Sequence, residues 1–205
     1  GPSQLIVATA GAGTTAPAAA TYSLTGGTDG VTTITSAILL GQDTIPRKGM
    51  YALRGTGASV AALVDVSDTT TFANQVAYGQ SEGTYMVGVT PAGDTITNAV
   101  STKATAGIDN YSFKYLFGDW VYFNDPVNGG VRLISPQGYA VGVIANLGPQ
   151  HSSLNKQLYG VVGTQKSFQN QQYSSAELQT LAQAGIDLIT NPIPAGNQFG
   201  FRIGH

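Results

Sequence analysis

The chain has 205 residues, 42% of them hydrophobic, which is enough for one sizeable domain or two small ones. Only 10% are charged, against roughly 25% in an average domain, so uncharged polar residues and glycine must supply most of the surface. The formal net charge of −2 provides no basic field for nucleic acid or anionic lipid. The absence of cysteine excludes disulfides, thiolate metal sites and cysteine nucleophiles. The sequence contains no apolar run of about 18 residues, the length that a membrane-spanning helix needs.

The first twenty residues predict little regular structure. Gly-Pro-Ser at 1–3 looks like the remnant of a cleaved tag, and QLIVATA at 4–10 is compatible with a lone strand. AGAGTTAPAAA at 10–20 is aperiodic and proline-bearing, which is typical of a linker or extended arm. We therefore expect a leading segment at 1–20 and one domain at 21–205, truncated at its C-terminal end, as in a piece cut from a longer protein.

The stretch from 46 to 90 predicts a helix, a strand, a second helix and a second strand. Pro46 is typical of a first helical turn, and Gly55 or Gly57 ends that short helix. The apolar run 60–66 predicts a buried strand. Asp68 is placed to cap the next helix, which stops at Gly83 and has this apolar stripe: Phe72, Ala73, Val76 and Ala77. TYMVGVT at 84–90 predicts another buried strand.

The alternation continues toward the C-terminus. Asp94 or Thr95 caps a helix that ends at Gly107, with Lys103 at the edge of its apolar stripe. FKYLFGDWVYF at 113–123 predicts a third, long strand rich in aromatic residues. Ser174 and Glu177 form a capping box before a helix with Leu178, Leu181 and Ala182 on its apolar side and Gly185 at its end, and IDLIT at 186–190 predicts a final strand. This order predicts an α/β fold: a mostly parallel sheet flanked by helices on both faces, in three layers.

The sequence offers little for nucleotide binding or hydrolysis. GTGASV at 55–60 lacks a third glycine and precedes a strand, whereas the dinucleotide fingerprint follows one. A Ser/His/Asp triad needs a histidine, and the chain has only His151 and His205. His151 lies in GPQHSSLN, and we interpret it as a solvated loop residue. No Gly-x-Ser-x-Gly elbow is present.

Acidic residues near predicted strand ends are the remaining candidates for chemistry. Asp65, Asp68 and Asp94 lie where α/β proteins bind ligands, but two of the three also fit as helix caps, which needs no ligand. Asp119 lies beside Trp120 in the aromatic strand, which is more typical of a core or a subunit contact. Arg202 could pair with a carboxylate. We therefore assign no catalytic residue, no cofactor-binding residue and no metal ligand, and expect no cofactor.

Four segments, in order over 21–205, resemble the phage tail sheath family, in the α/β domain often described as subtilisin-like. TYSLTGGTDG at 21–30 resembles the Leu-x-Gly-Gly-x-Asp-Gly entry of that domain, and KYLFGDWVYFNDPVNGG at 114–130 resembles its aromatic strand and Asp-Pro turn. ISPQGYAVGVIANLG at 134–148 resembles its proline-started, small-residue segment. QAGIDLI and FGFRIG resemble its closing elements, although Asp187 stands where Asn is usual, and Phe199, Phe201 and Ile203 replace the typical residues around Arg202.

The resemblance implies a structural role without catalysis. The term subtilisin-like refers only to the fold of the domain and does not imply a catalytic triad. Sheath subunits stack as six-membered rings in a helix around the tail tube, and the helix contracts to drive the tube through the host envelope. The implied partners are copies of the chain itself, the tail tube protein and the baseplate, with no nucleic acid and no membrane insertion. The implied location is the virion, after assembly in the host cytoplasm. Because sheath arms lie at the chain termini, we expect this fragment alone to be monomeric.

SPQGYAVGVIA at 135–145 carries contradictory signals. Ser135 and Pro136 are typical of a helix start, whereas Gly138 and Gly142 weaken a helix and the β-branched residues would suit a strand. We interpret 135–146 as a helix whose glycines allow close packing on a sheet or a neighbouring helix, and the strand remains the alternative.

Two other functions stay open. An α/β hydrolase-like or nucleotide-binding enzyme would need a pocket at the strand ends with His151 near a Ser or Asp. A surface or carbohydrate-binding module would use the uncharged polar surface and exposed aromatic residues such as Trp120.

Overall fold

The computed structural model describes residues 12–13, 15, 19, 21, 26–27, 30–148 and 150–191, and the backbone of 202–204. The chain divides into two compact units, 1–33 and 34–205. In the first unit, Val31–Thr33 form a 3₁₀ turn in which both the amide and the hydroxyl of Thr33 donate to the Gly30 carbonyl. The predicted boundary after residue 20 stays a prediction.

The second unit is mixed α/β, with a small parallel sheet, an antiparallel sheet and helices. The helices are α1 Ser36–Leu40, α2 Phe72–Glu82, α3 Ile96–Ala106, α4 Gln137–Asn146, α5 Gln165–Phe168 and α6 Ser175–Gln183, with 3₁₀ turns at Gly49–Leu53 and Thr69–Thr71. The strands are β1 Val60–Ala61, β2 Tyr85–Val89, β3 Phe113–Leu116, β4 Val121–Asn124, β5 Val131–Ile134, β6 Val161–Thr164, β7 Leu188–Thr190 and β8 Arg202–Gly204. Among the described residues, no helix is long and apolar enough to cross a membrane.

The parallel sheet has the order β1-β2-β3, and the predicted parallel arrangement is confirmed for these strands. Asp187 extends it, since its amide donates to the Tyr115 carbonyl at 2.9 Å and its own carbonyl accepts from Phe117 at 2.7 Å. Lys114 forms a buried ion pair with Asp187 across the same junction. The β7 strand that follows Asp187 pairs antiparallel with β8.

The predicted strand at 113–123 is wrong, because this stretch forms two strands in two different sheets. β3 belongs to the parallel sheet, whereas β4 is the central strand of the antiparallel order β5-β4-β6. The break lies at Gly118, where a Cβ would overlap the carbonyl oxygen of Pro91. Only glycine allows the chain to pass this close to the loop after β2, and the chain then changes direction.

Two groups of core residues lie on the two sides of the parallel sheet, as the alternation of side chains along a strand requires. One group joins residues of α2, α3 and α6 to β2 and β3: Phe72, Ala99, Leu181, Met86 and Tyr115. The other joins α4 to the alternate residues of the same strands: Ala140, Val87, Val89 and Leu116.

The helix-terminus signals are confirmed. Asp68 accepts from the Thr70 amide before α2, and Gly83 ends α2 in the left-handed conformation. Thr95, not Asp94, is the N-cap of α3, and Gly107 ends that helix with φ 61°. The Ser174–Glu177 capping box is present in full at α6.

Two predicted elements in the first half are wrong in extent. The helix predicted from Pro46 is only a 3₁₀ turn at Gly49–Leu53. The strand predicted at 60–66 is limited to β1, because the chain turns at Asp65, which has a positive φ of 62°. Leu63 and Val66 are nevertheless buried. The apolar run therefore predicted the burial of these residues correctly but the length of the strand incorrectly.

The prediction that Lys103 lies at the edge of the apolar stripe of α3 is wrong. It is only 9% exposed, and its ammonium donates to the carbonyls of Ala184 and Gly185 and to the exposed carboxylate of Asp109. A buried lysine is tolerated here because its donors satisfy carbonyls at the C-terminal end of α6.

The helix interpretation of 135–146 is confirmed by α4, but the explanation of its glycines is wrong. Gly138 and Gly142 are exposed, and a Cβ at either position would meet no atom within 4 Å. The described chain therefore contains no close contact that these glycines permit. The helix is held instead by buried Ala140 and by Gln137 at its start.

Candidate functional site

A cleft of about 640 Å³ lies at the carboxyl ends of β2 and β3. Its walls are the loop after β2 with the start of α3, the connection from β3 to β4, and the region of α5 and α6. Open parallel sheets bind ligands at this edge, because loops and helix N-termini converge there. We call it the strand-end cleft, and its ionisable lining residues are Asp94, Asp119, Lys166, Tyr173 and Glu177.

The wall formed by α3 is organised by its cap. The Thr95 hydroxyl accepts from the Asn98 amide at 3.2 Å. Asp94 Oδ1 accepts from the Thr95 amide at 2.8 Å and from Asn98 Nδ2 at 2.7 Å. The other carboxylate oxygen, Asp94 Oδ2, is out of contact with solvent and has no hydrogen-bond partner within the described part of the chain. The contacts at the start of α3 therefore use only one of the two carboxylate oxygens of Asp94.

Asp119 is the buried carboxylate of the cleft, 4% exposed. Its Oδ1 accepts from the Lys166 amide at 2.8 Å, and its Oδ2 accepts from the Tyr173 hydroxyl at 2.8 Å. Burial, together with the adjacent Asp119 carboxylate, raises the pKa of Tyr173 well above its ordinary value, so the hydroxyl remains a donor at physiological pH. Asp119 therefore joins the β3–β4 connection to α5 and to the loop before α6.

Lys166 and Glu177 form the exposed part of the cleft. Lys166 Nζ lies 2.9 Å from Glu177 Oε1 and 4.0 Å from the centroid of the Tyr173 ring. Glu177 Oε2 accepts from the amide and hydroxyl of Ser174. The Ser174 amide and then Lys166 lower the pKa of Glu177 to about 2. Glu177 is therefore ionised and weakly basic at neutral pH, which makes it a poor general base.

Gln165 connects the two sheets at the floor of the cleft. Its Oε1 accepts from the amides of Gly93 and Trp120, at 2.9 Å and 3.2 Å. The indole of Trp120 donates in turn to the Thr90 carbonyl. The hydroxyls of Thr90 and Tyr115, which do not line the cleft, have no hydrogen-bond partner among the described residues, although these residues are 0% and 1% exposed. Burial and the nearby Asp94 carboxylate raise the pKa of Tyr115.

Of the residues considered from sequence, Asp94 and Asp119 both line the cleft, whereas Asp65, Asp68 and His151 do not. His151 is exposed in its loop and does not line the cleft, as expected of a solvated residue. Asp65 is exposed in a turn and Asp68 caps the start of α2. Among the described residues, no group of three His, Cys, Asp or Glu side chains is placed to hold a metal ion. His205 and the side chain of Arg202 lie outside the described residues.

Sequence reasoning missed the part of the cleft that lies between β6 and α6. Glu177 was predicted only as a capping residue, and Gln165, Lys166 and Tyr173 belong to no motif. Their approach to Asp94 and Asp119 depends on the β4–β6 pairing, which brings α5 to the ends of β2 and β3. Because the sequence predicts a single strand over 113–123, it does not reveal β4 as a separate strand that could pair with β6.

No family model matches the chain. A comparison with curated proteins finds no match either. The function is therefore argued from the residues, the geometry and the resemblance described above.

Proposed function

We propose that this chain is the α/β domain of a contractile phage tail sheath subunit, which polymerises around the tail tube and contracts to drive it through the host envelope. The observation that carries the proposal is the order of four family-like segments along 21–205. The same resemblance supplies the proposed partners, which are copies of the chain, the tube protein and the baseplate, and the virion as its location.

The positions of two of these segments in the fold support the proposal. KYLFGDWVYFNDPVNGG contains β3 from its second residue onward, β4 and the turn before β5, where Asp125 accepts from the amides of Val127 and Asn128. ISPQGYAVGVIANLG contains α4, which follows Pro136 directly. With α4 on one core group and α2, α3 and α6 on the other, we propose the three-layer, subtilisin-like arrangement for the whole domain.

A contractile lattice needs subunits that stay rigid while their mutual contacts change. Buried polar ties provide such rigidity, since they hold separate elements in one geometry. Gln137, 0% exposed, donates to the carbonyls of Leu63 and Val87 and accepts from the Asp65 amide. Gln165 and Asp119 add ties between the two sheets. These contacts suit a domain that moves as one body.

Electron microscopy of the full-length gene product, together with whatever segments flank this chain in it, tests the proposal. We expect hollow tubules of sheath-like width to form on concentration. The 205-residue chain alone is expected to sediment as a monomer. The absence of tubules under all assembly conditions would contradict the sheath proposal. A stable hexamer of the 205-residue chain would contradict the expectation that this chain alone is a monomer.

The strand-end cleft favours a second candidate, a ligand-binding or hydrolytic α/β domain. Its position at the ends of β2 and β3 is where such domains bind small molecules. The hydrolase version required His151 near a Ser or Asp in that pocket, and His151 does not line it. Hydrolysis of ester, peptide or nucleotide substrates that is lost in His151→Ala would support this candidate, and the sheath proposal expects no turnover.

A further inference from the structure

We propose that Asn128 is a site of spontaneous deamidation, which converts its side-chain amide to a carboxylate and loosens the turn between β4 and β5. The proposal depends on the chemistry of this turn and not on the sheath function, so each can fail without the other.

The sequence and the exposure of the turn favour this reaction at one asparagine. Asn128 is the only asparagine in the sequence that is followed by glycine. Ring closure onto the next backbone nitrogen is easiest before glycine, because glycine has no Cβ to hinder it. Asn128 and Gly129 are both exposed, and a Cβ at Gly129 would meet no atom within 4 Å. The turn therefore has space for the five-membered succinimide ring to form.

The reaction needs water and no other reactant. The Gly129 backbone nitrogen loses its proton to solvent and attacks Cγ of Asn128. The N–Cγ bond forms, the Cγ–Nδ2 bond breaks, and the side-chain nitrogen takes a proton from solvent and leaves as ammonia. Water then adds to either carbonyl of the ring, which opens to aspartate or isoaspartate. Because the Gly129 amide donates to the Asp125 carbonyl at 3.0 Å, this bond must open first, and we expect the folded chain to react more slowly than a free peptide.

The product would disrupt the contacts that hold the turn. Asn128 Nδ2 donates to Asp125 Oδ2 at 2.8 Å, and the Asn128 amide donates to Asp125 Oδ1 at 3.1 Å. These hydrogen bonds, the side-chain one first, hold the pKa of Asp125 below its ordinary value, so its buried carboxylate is ionised at neutral pH. A carboxylate at position 128 would replace a donor with a second negative charge. Arg132, which pairs with Asp125 at 3.2 Å, is 58% exposed and would offset only part of this repulsion.

Mass spectrometry of the folded chain, incubated at neutral pH and physiological temperature, tests the reaction. A blocked synthetic peptide of residues 125–130 is incubated beside it as a clock. We expect the mass gain of NH₂ replaced by OH at Asn128, as aspartate and isoaspartate, after several half-lives of the peptide. Asn146, which is exposed on α4 but followed by leucine, is the internal control and should stay unmodified. An intact Asn128 after the peptide is fully converted, or equal conversion of Asn146, would overturn the proposal.

Asn128→Asp and Asn146→Asp form the matched pair that tests the loosening of the turn. Asn128→Asp reproduces the aspartate product, and hydrogen exchange of the amides of 125–131 should become about tenfold faster, the loss expected for one charge-assisted hydrogen bond. Asn146→Asp adds the same charge outside the turn and should leave the exchange of 125–131 unchanged. Unchanged exchange in Asn128→Asp, or an equal increase in both variants, would overturn the proposed loosening.

Discussion

At the scale of single residues, glycine has opposite roles at two positions of this chain. Gly118 lies so close to Pro91 that a Cβ would overlap the carbonyl oxygen, whereas a Cβ at Gly138 would meet nothing within 4 Å. The first glycine permits the turn from β3 to β4. The second lies on the exposed face of α4, where it only weakens helix formation.

Alanine at these two glycines should therefore change stability in opposite directions. Gly118→Ala should destabilise the protein by about 3 kcal/mol, because backbone must move to relieve the overlap. Gly138→Ala should stabilise it by about 0.5–1 kcal/mol through helix propensity. Urea denaturation of both variants measures the two changes. A destabilising Gly138→Ala would show that the glycine has a structural role that α4 does not reveal.

Glu177 should make the free energy of unfolding depend on pH over the range in which its carboxylate becomes protonated. Its folded pKa of about 2 lies below the ordinary value of 4.5, so its contribution is fully present above pH 4.5 and is lost as pH falls toward 2. The side chain is 38% exposed, and after allowance for solvent screening we expect about 1 kcal/mol. Urea midpoints at pH 6, 4 and 2.5 should fall less steeply for Glu177→Gln than for the natural chain. Parallel slopes would exclude this role for Glu177.

At the scale of elements, local signals in the sequence predicted helix ends better than strand ends. Asp68, Gly83, Gly107 and the Ser174–Glu177 box act within one turn of chain, so their effects are readable from sequence. The extent of a strand depends on its partner, which sequence does not display. The run 113–123 is continuous in hydrophobicity, yet the overlap at Gly118 with a distant loop divides it. The cleft was missed for the same reason, because Lys166 and Asp119 meet only through the β4–β6 pairing.

Gln137 should be the most sensitive polar residue among the ties between elements. Gln137→Leu keeps the size of the side chain but leaves the carbonyls of Leu63 and Val87 without their donor. We expect a loss of about 2–4 kcal/mol, since both buried carbonyls would be unsatisfied. Gln179→Leu, on the exposed side of α6, is the control and should change stability by less than about 0.5 kcal/mol. Similar denaturation midpoints for the two variants would show that Gln137 is not a structural tie.

At the scale of the whole molecule, the described unit is a mixed α/β body with core residues on both sides of a small parallel sheet. Half-buried Gln165 and buried Asp119 connect both sheets, so we expect relative motion inside the unit to be small. The alternation of helices and strands indicated the parallel sheet, but not the antiparallel sheet β5-β4-β6. A rigid body with variable outer contacts is what the proposed sheath function requires.

The most direct test of the central claim is cryo-electron microscopy of the complete polypeptide under assembly conditions. If 34–191 is the rigid body of a subunit that assembles through segments outside this chain, we expect hollow helical tubules in which each subunit fits this fold as one body. The same body should fit both extended and contracted tubules with only its neighbours displaced. Discrete particles without polymer, or subunits whose two sheets move apart between states, would contradict the claim.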